Sequence, residues 1–245
     1  MRLKYAPFPV VCAPTGMALG GGCELLLHSD AVQAHIELYA GLVEVGVGLI
    51  PGWGGCKEII YRAIKERATS ESLAARFGSM FSFISGVKAL NTMPAIEKAF
   101  KQISMARVST SAIEAQEMLI LNEKSAITMN RGRLLYDAKQ LCLQLAENYQ
   151  PPVAYAINLP GKTAKTALDM AVKTFIKNGK ASEYDAVLAS HIGNVLTAGN
   201  ANLKQEITEE QLLKLELKNF CELIKNEKTL ARLEYMLENN KPLRN

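Results

Sequence analysis

The 245-residue chain has no run of about 18 uninterrupted apolar residues, so nothing in it is expected to span a bilayer. It also lacks a strong charge of either sign. Its 28 Lys and Arg against 24 Asp and Glu leave a formal balance of +4, too small and too scattered to recruit nucleic acid. Cysteine is sparse and unpatterned. Cys12, Cys23, Cys56, Cys142 and Cys221 are an odd number without CxxC spacing, which argues against a disulfide framework or a zinc site. They read as small core residues of a soluble protein in a reducing, cytoplasmic compartment. Low-complexity tracts and internal repeats are absent, and 49% hydrophobic with 21% charged residues excludes wholesale disorder. Met1 to Lys4, followed by an apolar stretch and Leu19 to Cys23, imitates a signal peptide that ends in a lipidated cysteine. Pro7, Pro9 and Pro14 break the helix such a segment needs.

What the chain does have is glycine, concentrated in one place: ten of the 17 lie between residues 16 and 55, and helical patterns follow. Pro9 to Ala13 reads as a buried strand entering a turn, Gly21 to Leu27 as a helix and Asp30 to Ala34 as a second strand, together a right-handed crossover. Ile36 to Ile50 reads as short extended pieces and tight turns. Helices are expected over Trp53 to Arg67, continuing from Ser70 to Ile84, and over 93–104. A capping box at Ser111 to Glu114 starts another. Arg131 to Tyr149 is amphipathic through Leu134, Leu135, Ala138, Leu141, Cys142 and Leu145. An irregular connection should run from Pro151 to Lys162, followed by helices at 163–178, 182–197, 209–225 after the capping box Thr208 to Gln211, and 229–239.

Two carboxylates stand out. Glu24 sits in the first turn of an otherwise apolar helix, and Glu44 is the one charge between Leu42 and Ile50. Each is either a solvated edge residue or a group whose burial raises its pKa toward general acid–base use. Gly20, Gly21 and Gly22 open a helix, where free N–H groups favour an anion, although a tightly packed turn needs the same residues. Their spacing is not that of a dinucleotide-binding loop. His28, His35 and His191 have no triad partners in the pattern and read as structural. Trp53 reads as packing rather than substrate stacking. Lys57, Arg62, Lys65 and Arg67 form either a solvated helix face or an attractor of nucleotide phosphates.

With Pro9-Val10-Val11, Gly16 to Glu24 (GMALGGGCE) and Gly41 to Gly55 (GLVEVGVGLIPGWGG), the chain resembles the crotonase (enoyl-CoA hydratase/isomerase) superfamily. The two glutamates stand twenty residues apart, as in the family's hydratases, and Ser111 to Met118 resembles a further family helix. Leu3 to Val11 and the tail from Ile207 to Asn245 resemble bacterial multifunctional fatty-acid oxidation proteins, with a 3-hydroxyacyl-CoA dehydrogenase first and a crotonase domain last.

The resemblance implies an α/β fold: the last turns of a ββα spiral core over 1–67, a helical insertion over 68–104 and a mostly α-helical region over 105–245. It implies hydration of trans-2-enoyl-CoA, with Glu24 activating water, Glu44 exchanging the proton at Cα, the Gly21 N–H in the oxyanion hole and the Gly52 N–H placing water. No metal or redox cofactor is implied. Coenzyme A enters within the acyl-CoA thioester substrate, and NAD would serve only a dehydrogenase domain not present here. The family's second oxyanion donor comes from a turn about 40 residues before the glycine triplet, whereas 20 residues precede Gly21. An N-terminally truncated crotonase is therefore expected, partnered by the polypeptide carrying the missing half and assembled as a homo- or hetero-oligomer. Val43 stands where the family usually has Pro. Two alternatives stay open: an enoyl-CoA isomerase using Glu44 alone, and a non-catalytic remnant acting in subunit assembly.

Overall fold

The computed structural model describes residues 1–77, 92–199, 201 and 206–245, without the side chains of 71–77. The apolar run after Pro9 forms β1 (Val11–Cys12), and Gly16–Leu19 forms β2. The apolar stretch after the glycine triplet coils into α1 (Gly21–Leu27), as expected; β3 (Ala31–His35) and β4 (Leu38–Gly41) follow. β3 lies between β1 and β5 (Ala126–Thr128), parallel to both, with Val11 opposite Ala31 and Gln33 opposite Ala126. Every residue of β3 is buried, as a parallel strand covered on both faces requires. β2 pairs in parallel with β4, Gly16 opposite Leu38 through Leu19 opposite Gly41. Parallel neighbours cannot be joined by a tight hairpin, so α1 serves as the crossover.

β2 falls where the sequence suggests only a glycine-rich turn. Its first two residues are exposed and its last two half-buried, so it has no alternation to read. Glu44–Val47 then forms one 3-10 turn, and α2 (Gly55–Phe77) runs on through position 67 without a break. The expected continuation to Ile84 lies, from residue 78 onward, outside the described residues.

α3 (Met93–Ser104) has the expected bounds, and Pro94 in its first turn suits a helix start. α4 (Ala112–Glu117) is capped by Ser111, whose hydroxyl accepts from the Glu114 N–H. The returning arm of that capping box is displaced by one residue: the Glu114 carboxylate takes the N–H and hydroxyl of Thr110. α5 (Leu134–Ala146) follows a 3-10 turn at Arg131–Arg133 and is shorter than its pattern. It buries Leu134 and Ala138 while Leu135 stays exposed.

The connection expected to be irregular contains β6 (Ala156–Asn158), antiparallel to β7 (Glu206–Thr208). Around this pair lie α6 (Lys162–Lys177), α7 (Glu183–Leu196), α8 (Glu209–Leu223) and α9 (Glu227–Asn239). Complete capping boxes start α7, from Ser182 and Asp185, and α8, from Thr208 and Gln211. A single buried cluster joins Leu26 and Leu27 of α1 to Ile59 and Ile60, Ile96 and Phe100, Ile192 and Leu196, and Leu212 and Leu223. The early strands and the late helices thus share one core. The five thiols are free; Cys23 and Cys56 are the expected core residues, whereas Cys12 and Cys142 are half-buried and Cys221 is exposed. No helix among the described residues is long and apolar enough to cross a membrane.

Candidate active site

Glu24 and Glu44 both lie at element starts beside glycine turns. Glu24 is in the first turn of α1, buried, and its Oε1 accepts the backbone N–H groups of Trp53 and Gly55, each at 2.9 Å. Burial raises its pKa and those two amides pull against the rise. Glu44 opens the 3-10 turn after β4. Its Oε2 is buried without a hydrogen-bond partner, and Oε1 comes within 3.4 Å of where a side chain on Gly20 would begin. Burial and the nearby Glu24 carboxylate push Glu44 up to about 7, against the amides of Val43 and Glu44 itself. The Glu24 charge acts on Glu44, with Glu44 lying beside Gly20 of the glycine triplet and Glu24 held on the Trp53–Gly55 turn.

Gly21 is the first residue of α1, where the N–H groups have no acceptor inside the helix and the macrodipole is positive. The Trp53 ring lies 3.3 Å from where a Gly21 side chain would begin. That ring is 71% exposed, so it shields Gly21 from one side rather than filling the turn, which corrects the packing expectation. Gly52 lies in the same turn, backed by Phe220 of α8 so closely that a side chain at Gly52 would overlap the Phe220 ring, 2.8 Å away.

The expected basic cluster on α2 does not form one face. Lys57 is fully buried, its Nζ bonded to Glu58 at 2.6 Å, Glu209 at 2.8 Å and His28 Nε2 at 3.0 Å. Arg62 donates to the carbonyls of Leu27, Leu119 and Ile120, and Lys65 pairs with Glu123 in the open. Lys4 also reaches Glu58 and Glu209, and the Tyr5 hydroxyl donates to Glu209. Burial opposes charge on Glu58, but Lys57 and Lys4 hold it down to about 2. His28 is lowered to about 4 by burial and Lys57, so its neutral ring donates from Nδ1 to the Glu24 carbonyl and accepts from Lys57. His28 and His35 are buried, and His191 bonds Asn219. All three are tied into the fold as expected.

Sequence reasoning misses a third carboxylate. Glu216 of α8 is buried, accepts the N–H of Gly54 at 2.6 Å and of Lys57 at 3.1 Å, and is pushed up to about 8 by burial and the Glu24 charge. A signal was available: Glu209, Leu212, Glu216, Asn219 and Leu223 follow helical three-and-four spacing and are all buried, placing two carboxylates on an inward face. α9 holds the other loop. Its Thr229 hydroxyl donates to the Gly48 carbonyl at 2.7 Å and Arg232 reaches the Val45 carbonyl at 3.4 Å.

Two carboxylates with raised pKa, one in the first turn of a helix, have the chemistry that proton transfer requires. No family model matches the chain. It superposes on carnitinyl-CoA hydratase from Mycobacterium avium with a TM-score of 0.51 at 21% identity, over 96% of this chain and 62% of that one. The chain thus has the fold of that hydratase. All of it is 39% identical to a Bacillus subtilis protein named probable 3-hydroxyacyl-CoA dehydrogenase, and 97% of it is 30% identical to a Rickettsia felis protein named putative fatty acid oxidation complex trifunctional enzyme. It spans 28% and 27% of those relatives, about a quarter of their length.

Proposed function

We propose that the chain carries the enoyl-CoA hydratase chemistry of fatty-acid β-oxidation, adding water to trans-2-enoyl-CoA to give 3-hydroxyacyl-CoA. The observation that carries this reading is the pair Glu24 and Glu44, brought together with an unpartnered buried oxygen on Glu44. Glu24, steadied by the Trp53 and Gly55 amides, takes a proton from the water whose oxygen bonds to Cβ. Glu44, raised to about 7, can hold a proton near neutrality and deliver it to Cα. The Gly21 N–H meets the charge that develops on the thioester oxygen, and the Gly52 N–H helps place the water. The addition needs no metal or redox cofactor, coenzyme A entering only as part of the substrate. NAD would belong to dehydrogenase chemistry elsewhere in proteins of the trifunctional kind. Five free thiols suit a reducing, cytoplasmic setting.

The hydratase neighbour extends beyond what this chain covers, and we assign the second oxyanion donor to the crotonase segment that corresponds to that remainder. A second reading, subunit assembly without turnover, is favoured by exposed apolar side chains such as Phe8, Met17 and Leu25. The deciding experiment follows loss of crotonyl-CoA absorbance, with and without a polypeptide carrying the remaining crotonase segment. Hydration should fall by about 10²–10⁴ in Glu24→Gln and in Glu44→Gln. If Glu24→Gln leaves hydration intact, the two-carboxylate mechanism is wrong. Isomerisation of a 3-enoyl-CoA that survives Glu24→Gln but not Glu44→Gln would identify Glu44 as the group that works at Cα.

A further inference from the structure

The turn from Trp53 to Lys57 presents its backbone N–H groups alternately to two carboxylates. Trp53 and Gly55 donate to Glu24 Oε1, while Gly54 and Lys57 donate to Glu216 Oε1 and Oε2. The turn is also tightly enclosed: Gly54 has φ +103°, and a side chain there would strike Lys57 and His28 at 2.7–2.8 Å. With its conformation so confined, whatever fixes the amides of Gly54 and Lys57 also fixes those of Trp53 and Gly55.

We propose that Glu216, on α8, is a positioning residue for the hydratase reaction, setting the turn whose amides aim the Glu24 carboxylate at its water. The proposal rests on the hydratase reading for its kinetic consequence but not for its structural one. Glu216 gives the turn two acceptors in one rigid group, and no other side chain bonds the Gly54 or Lys57 amides among the described residues. The groups facing it are Glu24 of α1, the Gly54 amide of the turn and, on α2, the Lys57 amide, Lys57 and the buried Cys56 thiol. The buried ion cluster of Lys4, Lys57, Glu58 and Glu209 anchors the same end of α2. Glu216 is therefore the link by which a helix far along the chain reaches a carboxylate near its beginning.

Glu216→Gln keeps the shape but points an NH₂ group at one of the two amides, which then loses its acceptor. The experiment compares unmodified chain, Glu216→Gln and Glu24→Gln by amide hydrogen exchange at Trp53 and Gly55, by Trp53 fluorescence, and by crotonyl-CoA kinetics in the presence of any polypeptide the activity requires. Trp53 is the only tryptophan in the chain, so its emission reports this turn. In a Glu216→Gln protein that still melts cooperatively, exchange at Trp53 and Gly55 should quicken at least tenfold. The value of kcat should fall at least tenfold while KM stays within about twofold, because Glu216 is fully buried behind the turn and out of reach of a bound substrate. Proton exchange at Cα, assigned to Glu44, should persist, which a general loss of structure would not allow. Unchanged exchange at Trp53 and Gly55 overturns the proposal. If Glu216→Gln does not melt cooperatively, Glu216→Asp, which retracts the carboxylate by one methylene, is judged by the same readouts. If unmodified chain never hydrates crotonyl-CoA, the hydratase reading fails and the exchange data still decide what Glu216 does to the turn.

Discussion

At the scale of single residues, Glu44 joins function to stability through its proton. Its carboxyl is raised from 4.5 to about 7 in the folded chain, so folding favours the protonated form. The stability this gives is fully present below about pH 4.5, the unfolded value, and is lost as pH rises through about 7. Glu44→Gln removes the titration. After discounting for partial exposure it should stabilise the chain by about 1–3 kcal/mol at pH 8, some 3–8 °C in melting temperature, and by little at pH 5. Equal shifts at the two pH values in thermal melts would show that the group does not titrate as described. Glu24 and Glu44 were legible in the sequence because each is a lone charge in an apolar run. Glu216 was legible only through the three-and-four spacing it shares with Leu212 and Asn219, and Lys57 was not, because it sits in a segment rich in charge, where only the inward direction of its side chain separates it from solvated neighbours.

Among the elements, strong periodicity and caps were easiest to read. The glycine triplet and the apolar run after it gave α1 its bounds, and Thr208 with Gln211 marked the start of α8. β2 and the β6–β7 pair were hidden because three- or four-residue strands are fixed by their partners rather than by their own alternation. The same principle of distant support governs the Glu44 loop. The 3-10 turn ends at Gly48, with φ +79°, and a side chain there would press on Thr229 of α9 at 3.0 Å. Thr229 also shares a hydrogen bond of 2.5 Å with the Tyr184 hydroxyl of α7, so one buried hydroxyl ties two helices to the loop. Thr229→Val keeps the volume and leaves the Gly48 carbonyl without its donor. It should cost about 1–3 kcal/mol in denaturant unfolding and lower hydration more than an equally destabilising change in α6, which lies away from the loop. Equal activity in those two variants would separate α9 from the site.

At the scale of the whole molecule, the described residues share a single core, yet they leave large apolar side chains and strand edges open. β1 pairs only with β3, and β2 only with β4, so each presents an unpaired edge among the described residues. Met17 of β2 is 78% exposed, and Phe8 and Leu25, both near β1, are more than half exposed. Leu135 and Leu143 are likewise exposed on α5, which packs on β1. Open edges lined with apolar side chains pair with other chains unless something blocks them. A second copy, or a separate polypeptide carrying crotonase strands, could cover the same surface, and charge placed there should disfavour either. The chain alone should therefore self-associate with rising concentration in sedimentation velocity, and the double substitution Met17→Glu with Leu25→Glu should shift it toward monomer. Both positions are solvent-facing, so the melting temperature should move by less than about 2 °C, in line with surface changes of roughly 0.5 kcal/mol. If the unmodified chain stays monomeric at every concentration, the exposed face is no interface between copies. If a crotonase-strand polypeptide restores hydration to the unmodified chain but not to the doubly charged variant, that face is where the remainder of the active site docks.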